Sequence, residues 1–77
     1  MIKVRPKRLI QHDNLPVYSF LMSVSAWRKS GIELLDKVQV TPTEIKSPMR
    51  VIGKVQSIQY MDYATPQIRI VIKKMEG

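Results

Sequence analysis

From Met49 to Met75 the chain alternates apolar and polar residues in two runs. Met49, Val51 and Val55 interleave with Arg50 and Lys54; beyond the loop Met61-Asp62-Tyr63-Ala64-Thr65-Pro66, Ile68, Ile70 and Ile72 interleave with Gln67, Arg69 and Lys73. A period of two marks a half-buried strand, and two such runs around a short loop make a hairpin. Because successive strand side chains point to opposite faces, the alternation that buries the isoleucines holds Arg50, Lys54, Arg69 and Lys73 on the other face. The apolar parity changes within the first run, from Val51 and Val55 to Ile58 and Tyr60. That change calls for a bulge near Gln56-Ser57 or a bend at Gly53.

The rest of the chain has to complete a core around this hairpin with little material. Seventy-seven residues make one domain, 1–77, near the lower limit for a self-sufficient core, so self-association into a homodimer or higher oligomer, or a bound partner, would add stability. With no cysteine, disulfides, a thiol nucleophile and cysteine-ligated metals are excluded. Thirteen Lys and Arg against six Asp and Glu give a formal charge of +7, which favours polyanions or acidic protein surfaces. Residues 1–10 hold Lys3, Arg5, Lys7 and Arg8 without an acid. The longest apolar stretch, Leu15 to Trp27, is interrupted by serines and is too short to cross a bilayer. The basic start lacks the apolar region of a secretory signal, so the expected location is cytoplasmic with no membrane contact.

Ile2 and Val4 alternate with Lys3 and Arg5 as a first strand, which Pro6 confines to an edge or a bend; Leu9 and Ile10 resume it. Asp13-Asn14 and Pro16 form a turn. Val17 to Trp27 fits two templates. As a helix it has an apolar stripe at Val17, Phe20, Leu21, Val24 and Trp27, with Asn14 as cap, Arg28 and Lys29 in the last turn and Gly31 as terminator. As a strand it has Tyr18, Phe20, Met22, Val24 and Ala26 on one face and three serines opposite, and the branched and aromatic residues favour this reading. A turn at Glu33 to Asp36 leads to a strand Lys37 to Val40. Thr41-Pro42-Thr43 and Ser47-Pro48 bracket a loop containing Ile45. Five strands and no long helix give an all-β chain, a small five-stranded OB or SH3-like barrel. The alternative is an α+β fold with residues 15–29 helical against an antiparallel sheet.

Two short likenesses point to the same class of barrel. Met1-Ile2-Lys3-Val4 and Pro16-Val17-Tyr18-Ser19 resemble pieces of the small single-stranded-DNA-binding proteins of filamentous phages, which implies a dimeric five-stranded OB-type barrel. Gly53-Lys54-Val55-Gln56-Ser57-Ile58, followed by the Ile-rich last strand, is similar in pattern to short phage head-completion proteins, which implies a small barrel built into a virion.

For chemistry the chain offers little. His12 beside Asp13 reads as a solvated turn, the carboxylates are scattered, and Gly31, Gly53 and Gly77 form no phosphate-binding loop, so neither catalysis nor a cofactor or metal is expected. Nucleic-acid binding needs cations for phosphates and aromatic faces for bases. The core is the favoured place for the aromatics other than Tyr63, yet Tyr60 and Tyr63 lie at the tip of the basic hairpin. The expected activity is non-catalytic binding of single-stranded DNA or RNA through Lys3, Arg5, Lys7, Arg8, Arg50, Lys54, Tyr60, Tyr63, Arg69 and Lys73. The alternative is an interaction or assembly protein, of phage type, whose basic faces or unpaired strand edge dock on an acidic protein or a neighbouring subunit.

Overall fold

The computed structural model describes residues 1–13, 16–44 and 50–75. The expectations for Asn14 as a cap, for the loop around Ile45 and Ser47-Pro48, for Met49 at the start of the hairpin and for Gly77 fall outside those residues. Among the described residues six strands and one short helix follow one another: β1 (Ile2–Val4), β2 (Ile10–Gln11), β3 (Val17–Ser23), α1 (Val24–Ser30), β4 (Lys37–Val40), β5 (Val51–Met61) and β6 (Gln67–Lys74). They form one sheet in the order β1-β4-β5-β6-β3-β2. The β1–β4 pair is parallel and every other pair antiparallel.

The expected closed five-stranded barrel is corrected to an open six-stranded sheet. β1 and β2 occupy its two ends and do not pair with each other. Pro6 has no amide to donate, and the segment beyond β1 is bound elsewhere, its Val4, Pro6 and Lys7 carbonyls accepting from the amides of Thr41, Thr43 and Glu44. Leu9 and Ile10 therefore do not resume the first strand; Ile10–Gln11 pairs with Ser19 and Tyr18 at the far edge. The sheet is nevertheless strongly curled. Laid flat, six strands would put β1 and β2 roughly 24 Å apart, whereas the six steps from Val4 to Ile10 reach at most about 21 Å fully extended. The connecting Leu9 is only 2% exposed, packed into the core between the two ends.

The inner face follows the alternation read from the sequence. Ile68, Ile70 and Ile72 meet Met22, Phe20 and Tyr18 on one side, and Tyr60, Ile58 and Val55 on the other. Val38 and Val40 continue the layer opposite Gly53 and Val51, and Ile2 and Val4 close it opposite Val38 and Val40. The register of β5 and β6 shifts between Val55 and Ser57, so Gln56 is the extra residue of a bulge, where the change of parity required one. Gly53 serves a different purpose, since a Cβ there would lie 2.7 Å from the Lys73 carbonyl oxygen; the two strands approach too closely for a side chain.

The ambiguous stretch divides at Ser23. Residues 17–23 are strand, as the branched and aromatic residues favour, while Val24 onward is helix rather than the rest of that strand. The α+β alternative, with residues 15–29 helical, is likewise reduced to a seven-residue helix. Ser23 explains the switch, because its hydroxyl accepts from the Ala26 amide at 3.0 Å and caps the first turn. Gly31 ends the helix in the left-handed conformation at φ 71°. Trp27 packs half-buried against the core and donates its indole N–H to the Ile32 carbonyl at 3.2 Å. Among the described residues no helix is long and apolar enough to cross a membrane.

Candidate functional site

The strands carry six basic side chains, Lys3, Lys37, Lys54, Arg69, Lys73 and Lys74, and no acidic one. All but Lys74 have the outer parity. In the register, Lys37 lies opposite Lys54 and Lys54 opposite Lys73, so three lysines stand side by side across β4, β5 and β6. Directly opposed residues have Cβ atoms about 5 Å apart, and like charges so placed repel. Lys3 flanks the row through its neighbour Gln39 on β4. Arg5 and Arg50, one residue beyond the ends of β1 and β5, are both exposed. Among the described residues the one ion pair is Arg8 with Glu44, so no described carboxylate neutralises the row.

About 13 Å along β6 from Lys73, four residues at the strand rise, Arg69 enters a groove of about 490 Å³. Lys7, Arg8, Arg69 and Tyr63 surround it, over Ile10 and Leu21. The Tyr63 amide bonds the Met61 carbonyl at 2.9 Å, which fixes the loop that carries this ring. Arg8 is already engaged, its Nε donating to Glu44 Oε2 at 3.1 Å. That hydrogen bond and the opposite charge raise the Arg8 pKa and hold the Glu44 carboxyl below its ordinary range. Beneath the groove Ser19, 2% exposed, is satisfied by His12, with Nε2 and Oγ 2.7 Å apart. His12 is thus a structural partner of a buried hydroxyl, not the solvated half of a His-Asp turn.

The fold brings Lys7, Arg8, Tyr63 and Arg69 to one groove, and Lys54 and Lys73 to one row. Lys3 lies on the same outer parity at the β1 end, with exposed Arg5 and Arg50 just beyond the ends of β1 and β5. Tyr60 is placed elsewhere. It is neither core nor part of the groove: it has the inner parity opposite Ile68, yet at 61% exposure it projects past the end of the core. Two cations were missed by sequence reasoning. Lys37 completes the row, and the alternation of Lys37 to Val40 already gave its parity, but not its neighbour. Lys29 lines a second groove with Arg5, which no local pattern announces because α1 and the end of β1 meet only through the curl of the sheet.

Among the described residues no three His, Cys, Asp or Glu side chains gather as they would around a metal ion. No family model, curated protein or solved structure matches this chain significantly.

Proposed function

We propose that this chain is a non-catalytic nucleic-acid-binding protein that takes single-stranded DNA or RNA on the outer face of its sheet. The observation that carries the reading is the row Lys37, Lys54 and Lys73, three adjacent cations on β-strands devoid of acids. Such a row lowers the stability of the free protein, and phosphates laid along it replace mutual repulsion with attraction. Arg69 continues the positive surface along β6 to Tyr63, whose half-exposed ring is the face available to a base. Lys3, Arg5, Lys7 and Arg50 extend the field around the curl. Arg8 contributes less, because Glu44 shares its charge, and Tyr60 does not join this surface.

The test is titration of a labelled mixed-sequence oligonucleotide at two salt concentrations. If Lys37, Lys54, Lys73 and Arg69 each meet a phosphate, the single-strand slope of about 0.7 per contact makes affinity fall roughly fiftyfold between 50 and 200 mM salt. The double variant Lys54→Glu, Lys73→Glu should abolish binding while keeping the circular dichroism of the folded protein, and Tyr63→Ala should weaken it. Absence of binding to single and double strands at low salt would reject the reading.

A further inference from the structure

A second site lies where the curled sheet fails to close. β2 pairs with only two residues of β3, Ile10 opposite Ser19 and Gln11 opposite Tyr18. Continuing that register would set Arg8 opposite Leu21, but the chain has left the edge by then, and Val4, Pro6 and Lys7 bond instead to residues 41–44 at the other end of the sheet. A seam is left between the segment 4–8 and the end of β3. Two grooves of about 490 and 510 Å³ open along it, both lined by Phe20 and Leu21. Each is within the range of about 300–1,000 Å³ typical of ligand clefts.

Among the described residues no backbone group pairs with β3 along this seam. The His12 amide bonds the Val17 carbonyl on the β2 side, and the Lys74 amide bonds the Pro16 carbonyl on the β6 side. Antiparallel pairing alternates, so odd residues of β3 turn their amide groups to β2 and even residues to β6. The N–H and C=O of Leu21 therefore face the seam, and no backbone partner takes them among the described residues. Its side chain is 43% exposed. An edge with free donors and acceptors is a template for an added strand.

The surroundings select the strand. Arg5, Lys7, Lys29 and Arg69 rim the two grooves, while on the inner parity Phe20 lines both and Met22 the second. A second copy of this chain is unsuited, because its strands offer only basic side chains and its charge is +7. The geometry points to a strand-addition site for an extended peptide of a partner protein that alternates acidic and apolar residues. Its backbone pairs with Leu21, its acidic side chains meet Arg5, Lys7 and Arg69, and its apolar side chains pack on half-buried Met22. The site shares Arg5, Lys7 and Arg69 with the proposed nucleic-acid surface but needs none of Lys37, Lys54 and Lys73.

The probe is a fluorescein-labelled peptide of about eight residues alternating glutamate and valine, titrated by anisotropy against the full chain. Arg5→Glu with Lys7→Glu should weaken binding about tenfold or more, as truncated charge pairs do, while Lys54→Glu with Lys73→Glu should leave it within about twofold. Leu21→Pro should also weaken it about tenfold, since it deletes the seam-facing N–H together with the leucine side chain while breaking no ladder hydrogen bond, and Phe20 before it is already extended. Should that variant fail to fold, exchange of the Leu21 amide in the wild-type protein serves instead and should slow at peptide saturation. The proposal is overturned if the peptide does not bind, if the seam variants bind as tightly as wild type, or if Leu21 exchange is unchanged at saturation.

Discussion

Replacing Lys54 with glutamate separates what the lysine row does for folding from the part proposed for it in binding. Lys54 is the middle member, opposite both Lys37 and Lys73. With Cβ atoms about 5 Å apart, the ammonium groups spread to about 7 Å, where two charges repel by roughly 0.6 kcal/mol in water. At 0.15 M salt, screening reduces this to roughly 0.25 kcal/mol per pair. Lys54→Glu would convert two repulsions into two attractions, a gain of about 1 kcal/mol at that salt. The gain should approach about 2 kcal/mol at 10 mM salt and fall to about 0.2 kcal/mol at 1 M. For a domain of this size each kcal/mol moves Tm by roughly 4–8 °C. The assay is thermal unfolding of wild type, Lys54→Gln and Lys54→Glu at these three concentrations, the glutamine variant falling midway. The oligonucleotide salt slope of Lys54→Glu should decrease by at least about 0.7, one phosphate contact. A lowered Tm at low salt, or a gain that does not shrink with salt, would refute the reasoning, for the three side chains would then not form a row.

Two further expectations concern the scaffold. Gly53→Ala puts a methyl 2.7 Å from the Lys73 carbonyl oxygen and 3.1 Å from its carbon, and because both are backbone atoms the strands must separate; a loss of about 1–3 kcal/mol is expected in denaturant unfolding, and an unchanged midpoint would show that the close approach is not required. Glu44→Gln removes the pair with Arg8: since the folded-state pKa of Glu44 is lowered by that hydrogen bond and charge, the pair stabilises above the ordinary carboxylate value and is lost as pH falls below it. Wild type should therefore show a slightly larger fall in Tm below about pH 4.5 than Glu44→Gln, and a larger fall in the variant would contradict the sign.

The hairpin, the bulge at Gln56, the strand Lys37–Val40 and the break at Gly31 were legible because each is a local decision, set by alternation, by a parity change or by a residue tolerant of positive φ. Closure was not legible. Whether six short strands make a barrel depends on where the segment after Val4 finds its hydrogen bonds, and its partners, Thr41, Thr43 and Glu44, are far away in sequence. The division of Val17 to Ser30 was hidden for another reason: a seven-residue helix shows barely two turns of its period, and the deciding feature is one hydroxyl, that of Ser23, acting as a cap.

For the site, alternation supplies parity and the fold supplies adjacency, and the two carry different information. Parity alone already faced Lys3, Arg5, Arg50, Lys54, Arg69 and Lys73 away from the core, but side chains on one face of a strongly curled sheet need not face one partner. The register of β4, β5 and β6 decides which do, aligning Lys37, Lys54 and Lys73 in one row and setting Arg69 further along the same strand. The parity change at Gln56 governs the tyrosines as well. Beyond it Tyr60 points with the core residues while Tyr63, freed in the loop, turns to the outer groove, so a bulge that exists to keep Ile58 against Ile70 also leaves the basic face with a single ring. An extended anion on that face would meet three cations, then a stretch of Val71 and Ser57 without charge, then Arg69 and Tyr63. That spacing favours a flexible single strand over a rigid duplex, because a flexible chain can follow the curl between its two points of attachment.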